Sequence, residues 1–237
     1  MRAVPMPTPM ADRQLARLRL YQLVSPALPV GAFSYSEGLE VLVQAGQVTS
    51  EQAMEDWLSA ELRRGGVAIE AAALAPLMAF MRAWKDGEPQ AEQELRSLDQ
   101  WLLVQRESAE LRAQQRQMGR SLLQLLADLG WPLPRAGTLL AWPAAYAWAC
   151  AVLELDSPEV EEAYLYSWVA NQLSAAVRLV PLGPTQAQRL QLRLAPLLAQ
   201  RAQELASMDP EQQWNGGVGA GLAQLRHAEL YSRLFRS

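Results

Sequence analysis

The sequence predicts an all-α fold, a single helical domain of about eight to ten helices with buried central helices. Leu and Ala supply 40 and 38 of the 237 residues, and both are strong helix formers. Residues that favour strands are scarce, with one Ile, four Thr and three Phe in the whole chain. Apolar residues in the middle of the chain also recur at spacings of three, four and seven, which is the period of an amphipathic helix.

The N-terminal part of the chain divides at its prolines. Residues 1–10 are expected to form a disordered lead-in, and residues 11–237 the helical domain. A first helix over about residues 12–24 ends before Pro26, because the residue before a proline avoids the helical conformation. A stiff apolar loop over residues 26–31 then leads into a short helix.

Capping residues set the helices that follow. Thr49 and Gln52 have the spacing of a capping box and predict a helix start. A helix is expected over residues 67–85, and Ser157 begins a later one, since proline and acidic residues follow it. The glycine-rich break at residues 215–221 is expected to be a flexible hinge.

Charge and the rare residue types exclude several classes of protein. The net charge is −4, with 21 basic and 25 acidic residues, so there is no basic footprint for nucleic acid. One His and one Cys are too few for a zinc site or an internal disulfide within one chain, and no cofactor is expected. Lys85 is the only lysine and lies in no P-loop motif. By elimination, we expect no catalysis.

Two long uncharged stretches, residues 136–153 and 163–177, raise the question of a membrane span. Gly, Thr, Pro and many Ala dilute the first stretch, and a helix that is apolar all round also suits the centre of a helical domain. We therefore expect buried core helices and no membrane. The start of the chain has no apolar core of signal-peptide length, so cytoplasmic localisation is predicted.

Basic and acidic residues occur together near the middle of the chain, over residues 106–112. Arg106, Glu107, Glu110 and Arg112 are expected to make ion pairs on the surface. Cys150 lies among apolar residues and is expected to be buried and inert.

Two internal segments carry more polar groups than folding alone explains. In residues 25–40, two prolines and a glycine fix a loop whose small hydroxyl groups, together with Glu40, are suited to line a polar path. A rigid turn explains this loop equally well. Arg178 lies at the end of an otherwise uncharged helix, and a buried Arg needs an acidic partner, for which Glu40 is the candidate.

The C-terminal tail, residues 221–237, has the composition of a docking peptide. Aromatic, aliphatic and Arg side chains alternate there after the glycine-rich break, and Tyr and Arg are favoured anchors at interfaces. The predicted partner-binding residues are Tyr231, Ser232, Arg233, Leu234, Phe235 and Arg236. A frayed, solvated tail is the alternative.

These segments carry a resemblance to the UreF family of urease accessory proteins. Four blocks bear it, in family order and over almost the whole chain: residues 25–31 with 33–36 and 38–40, residues 106–112 with 117–119, residues 166–168 through 175–183, and residues 227–237. Ala32 departs from the second glycine that the family often has. Residues 228–230 read Ala-Glu-Leu where the family often has Glu-Thr-Gln, which puts a polar role for them in doubt.

The resemblance implies an all-helical homodimer without enzymatic activity. It implies binding to the accessory protein UreD (also called UreH), and through it to the nickel-carrying GTPase UreG and to the apo-urease subunits, with the tail taking part. Glu40 and Arg178, with Ser34 and Ser36, mark a candidate nickel route or gate, and Arg178 stands where Lys is common in the family. The sequence thus favours a nickel-insertion scaffold, and the rival function is a helical enzyme with a carboxylate site.

Overall fold

The computed structural model describes residues 9–236, which fold into ten α-helices and no strand. The predicted all-α fold is therefore confirmed. The helices are α1 (Pro9–Leu23), α2 (Leu39–Gln44), α3 (Glu51–Arg64), α4 (Gly66–Lys85), α5 (Ala91–Val104), α6 (Ala109–Asp128), α7 (Trp142–Val152), α8 (Glu159–Leu179), α9 (Pro184–Leu205) and α10 (Val218–Arg226). Short 3-10 turns lie at Ala32–Ser34, Pro210–Gln212 and His227–Glu229.

The predicted disordered lead-in, residues 1–10, falls mostly outside the described residues. Its last two residues, Pro9 and Met10, begin α1, so this helix starts three residues before the predicted residue 12.

The core is built around α4, α7 and α8. All nine residues from Pro143 to Ala151 of α7 are buried, which agrees with the uncharged sequence around them. Helix α4 packs against α5 and α7, α6 packs against α7, and α8 packs against α9. Helix packing around an apolar centre thus accounts for the long uncharged stretches.

Close approach of α6 and α7 depends on Gly119. A Cβ atom there would lie 2.3 Å from the carbonyl oxygen of Leu140, just before α7 begins. Since that obstacle is backbone, no rotamer change could relieve it.

The cap of α3 lies one residue beyond the predicted position. The side chain of Ser50, not Thr49, accepts a hydrogen bond from the backbone N–H of Ala53. The adjacent hydroxyl residue therefore has the extended backbone that an N-cap requires.

Helices α3 and α4 meet at Gly65, which has an extended backbone conformation. Together, Glu51–Lys85 form the one stretch within the described residues that is long and apolar enough to cross a membrane. Buried residues make up 61% of its apolar window, so this stretch lies largely inside the helical core.

The predicted glycine hinge over residues 215–221 is wrong in its second half, because α10 begins at Val218 and includes Gly219 and Gly221. A Cβ atom on Gly219 would have no neighbour within 4 Å, and Gly221 faces only the exposed side chain of Glu107. A Cβ atom on Gly221 would lie 2.8 Å from Oε1 of Glu107. Only residues 215–217 remain outside the helix, and the predicted tail, residues 221–237, therefore starts within α10.

Candidate functional site

The C-terminal tail lies against the body of its own chain and is held there largely through its backbone. The N–H groups of Leu234 and Phe235 donate to Oε1 and Oε2 of Glu40, at 2.7 Å and 3.1 Å. The N–H of Arg236 donates to the carbonyl oxygen of Ser34 at 2.9 Å. The last residues of the tail thus dock on the region where α2 begins.

Glu40 lies in the first turn of α2 and is only 2% exposed. Gly38 precedes it with φ 90°, a left-handed conformation that glycine adopts without strain. A Cβ atom on Gly38 would lie 3.2 Å from Cβ of Ala223, so α10 packs directly on this turn. The turn and α10 together bring the Glu40 carboxylate to the tail.

His227 joins the tail to two carboxylates. The ring is completely buried, with Nδ1 3.0 Å from Oε2 of Glu110 and Nε2 3.4 Å from Oε2 of Glu40. Glu110 also accepts a hydrogen bond at 2.9 Å from Nη1 of Arg233. We name this arrangement the tail clasp: Ser34, Glu40, Glu110 and His227 with residues 230–236.

Phe235 anchors the end of the clasp. Its side chain is 5% exposed and belongs to the main hydrophobic core. The guanidinium carbon of Arg178 lies 4.7 Å from the ring centroid, in a cation–π contact. Arg178 therefore contacts the tail by placing its guanidinium group over the face of the Phe235 ring.

The predicted pairing of Arg178 with Glu40 is wrong: no ion pair joins them in the part of the chain that the structure describes. The Glu40 oxygens instead accept the two tail amides and face His227. Helix α8 places Arg178 where it covers Phe235. Sequence alone could not reveal this, because the tail lies between the two predicted partners.

Other tail side chains point into solvent. Tyr231 is fully exposed, and Leu234 is about half exposed although its backbone is bound to Glu40. On the preceding helix, Leu222 and Leu225 are also half exposed and lie three residues apart, on one face. The C-terminal segment thus combines a fixed backbone with outward apolar groups.

The two groups of predicted site residues therefore come together in one place. Leu234 and Phe235 contact Glu40. Phe235 also contacts Arg178, and Arg236 contacts the carbonyl oxygen of Ser34. Ser36 is completely buried in the turn before α2, where its carbonyl oxygen accepts from the N–H of Leu39.

A second polar cluster lies in the core, and the sequence prediction for it was wrong. Arg106, expected on the surface, is 6% exposed and donates from Nε to Oε1 of Glu70 at 2.9 Å. Oε2 of Glu70 accepts from the hydroxyl of Tyr164 at 2.8 Å. Burial raises the pKa of the Glu70 carboxyl, and Arg106 opposes that shift. Glu70 is an isolated charged residue in the apolar sequence of α4, and such a residue indicates a buried polar cluster.

Glu110 and Arg112 also differ from the predicted surface pairs. Glu110 belongs to the tail clasp, and Arg112 donates from Nη1 to the carbonyl oxygens of Arg106 and Glu107. The charges at the start of α6 thus hold neighbouring segments in place.

The loop over residues 25–33 lines one side of a cavity of about 520 Å³. Its other walls come mainly from α6 and α8, with residues of α1, α4 and α7. Glu37, not Glu40, is the carboxylate of residues 25–40 that lines the cavity. This cavity is not the predicted polar path, since Ser34, Ser36 and Glu40 do not line it, and that path stays a prediction.

Comparison with known proteins gives one consistent result. A family model described as UreF matches residues 48–195. The urease accessory protein UreF of Alkalilimnicola ehrlichii is 41% identical to this chain over 228 residues, which covers 94% of this chain and 96% of the relative. The UreF of Trichormus variabilis is 38% identical over 224 residues, covering 93% and 95%. That of Prochlorococcus marinus is 36% identical over 225 residues, covering 94% and 99%.

Proposed function

Because the chain belongs to the UreF family of urease accessory proteins, we propose that it is a non-catalytic scaffold of urease maturation. In this proposal it bridges UreD (UreH) and the GTPase UreG to the apo-urease subunits, and it assists or gates the insertion of nickel. It acts as a homodimer in the cytoplasm and holds no cofactor of its own.

The observation that carries this proposal is the exposure of apolar side chains on a tail whose backbone is fixed. Tyr231 and Leu234 face solvent while the Glu40 carboxylate holds the amides of Leu234 and Phe235. Exposed aromatic and aliphatic groups on a pre-ordered segment favour protein association, because less conformational entropy is lost on binding. This arrangement supports a docking role for the tail.

The double substitution Tyr231→Ala and Leu234→Ala tests that role, since neither side chain is buried. We expect the variant to lose co-purification with UreD. Leu192→Ala, at a residue 74% exposed on α9, is the matched control and should retain it. Equal recovery of UreD with both variants would remove the tail from the interface.

For Ser34, Ser36, Glu40 and Arg178 we propose a role in a gate. The Glu40 oxygens accept hydrogen bonds from tail amides, and Arg178 covers Phe235, so both residues act on the position of the tail. A gate formed by the tail is thus better supported than an open path along these side chains.

Glu40→Ala tests the gate. We expect lower urease activation in a reconstituted maturation assay, at concentrations of UreD, UreG and apo-urease high enough that all of them still assemble on the variant. Full activation by Glu40→Ala would remove Glu40 from the gate.

A further inference from the structure

The cavity between the loop over residues 25–33, α6 and α8 has features of a ligand site that the scaffold role does not use. Its volume of about 520 Å³ lies in the usual range for small-molecule sites, roughly 300–1,000 Å³. Exposed Phe33 and Tyr166 stand at its margin, and Leu23 and Val30 form part of its apolar wall. The site is separate from the tail clasp, since none of Ser34, Glu40, Glu110 and His227 lines it.

The charge of this cavity is negative. Glu37 and Glu70 line it, and no Arg, Lys or His is among its lining residues in the described part of the chain. Arg106 pairs with Glu70, whereas Glu37 accepts from neutral donors: Nε2 of Gln114 at 2.8 Å and Nε1 of Trp168 at 2.9 Å. Within residues 9–236, the Glu37 charge therefore has no directly bonded cation, and Arg106 acts on it only electrostatically, without an ion pair.

A buried acceptor adds to this pattern. Oε1 of Gln115 has no hydrogen-bond partner among the described residues, although Gln115 is only 3% exposed and lines the cavity. Its Nε2 donates to Oε1 of Glu70 at 2.9 Å, so the amide oxygen is the unused group. Buried polar atoms in folded proteins are rarely left unpaired, so the polar wall of the cavity keeps an unused acceptor just below its surface.

Aromatic rings complete the site. Trp142 stacks on Tyr164 with ring centroids 6.5 Å apart, and both rings line the cavity with Trp168. Carboxylates together with aromatic faces attract organic cations, through charge and through the ring quadrupoles. Glu37 itself is held at φ 50°, a left-handed conformation that is strained for a side-chain-bearing residue and is often found at binding sites.

We propose that this cavity binds an organic cation, a guanidinium or alkylammonium group whose charge meets Glu37 and whose carbon chain lies against the aromatic rings. The apolar walls favour such a group over a hydrated metal ion. Among the described residues, moreover, no group of three or more His, Cys, Asp or Glu side chains is suitably placed to hold a metal. The cation belongs either to a free amine or to an Arg side chain of a bound protein, and both share this chemistry.

The test is isothermal titration calorimetry of the full chain with agmatine, with tetramethylammonium, and with an arginine blocked at both ends. Saturable binding of agmatine, with none of its neutral analogue butylurea, is the expected result. Binding of the blocked arginine as well would identify a protein side chain as a suitable source, and binding of agmatine alone would identify a free amine.

Two variants locate the binding. Glu37→Gln keeps the size of the side chain and should weaken agmatine binding by about tenfold or more, because an ionic hydrogen bond is lost. Ser174→Arg places a cation at an exposed lining position, so it should block the site without disturbing the buried cluster. Glu94→Gln, in a different cavity, is the control and should bind normally.

Three outcomes would overturn the proposal. The first is that no organic cation binds to the unaltered chain. The second is that the binding persists at full strength in both Glu37→Gln and Ser174→Arg. The third is that nickel chloride gives the same Glu37-dependent saturable heat while the organic cations give none.

Discussion

Glu40→Ala should release the last residues of the tail from the body of the protein. The carboxylate accepts the N–H groups of Leu234 and Phe235 at 2.7 Å and 3.1 Å. A hydrogen bond to a charged group contributes about 1.5–3 kcal/mol. Because the amide of Leu234 is only partly buried, we take the lower value for each bond, so the two together stabilise the docked tail by about 3 kcal/mol.

Amide hydrogen exchange measures this free energy directly. A loss of about 3 kcal/mol corresponds to about a 150-fold faster exchange at Leu234 and Phe235, read residue by residue by NMR. Glu40→Gln retains one acceptor oxygen and should give a smaller acceleration. Glu55→Ala is the control, since its carboxylate makes a surface ion pair with Arg193.

The result that would refute the reasoning is simple. If the two amides exchange at the same rate in the unaltered chain, in Glu40→Ala and in Glu55→Ala, the tail is not held by Glu40. The proposed gate would then lose its physical basis.

Three further predictions concern the body of the protein and its metal affinity. Gly119→Ala should lower the free energy of unfolding, measured by urea denaturation, by about 1–3 kcal/mol or more, because its Cβ would lie 2.3 Å from backbone. Gly219→Ala is the control and should not lower it, since Gly219 lies in open space. Equal effects of the two substitutions would contradict the close contact of α6 and α7. Burial raises the pKa of the Glu61 carboxyl from 4.5 to about 7, so the folded state holds that proton more tightly and stability falls as pH rises through this window. Glu61→Gln should therefore reduce the loss of stability between pH 5 and 8 by about 2–3 kcal/mol, and an unchanged pH profile would show that Glu61 does not cause it. The free chain should bind nickel only weakly in calorimetry, because its single His and single Cys are both fully buried; one tight site per monomer would contradict this ligand count.

Composition was sufficient to predict the helical fold because Leu and Ala act locally, through helix propensity and periodicity. Helix boundaries were less certain, since they depend on tertiary packing. Gly219 and Gly221 read as a break in the sequence, yet both are helical, because the buried residues Ala220, Ala223 and Gln224 hold α10 against the body of the protein. Ser50 likewise replaced Thr49 as the cap of α3, a choice that local sequence does not decide.

The candidate site could be predicted only in part. Tail residues 231–236 and Glu40 could be picked out by their composition and family motifs, but Glu40 and Leu234 are 194 positions apart, and no spacing rule predicts their contact. Arg106 was misjudged because an Arg beside Glu residues is typical of a solvated helix. Its true partner, Glu70, stands alone in an apolar run, and that isolated charge is the signal to use in similar sequences.

The central claim is that this tail recruits the accessory partner, and one affinity measurement tests it most directly. Dissociation constants for UreD should be compared between the full chain and a chain that ends at Leu230, after circular dichroism has shown that both are folded. We expect truncation to weaken binding by about 100-fold or more, because Tyr231 and Leu234 are removed together. Unchanged affinity for UreD in the folded, truncated chain would contradict the account.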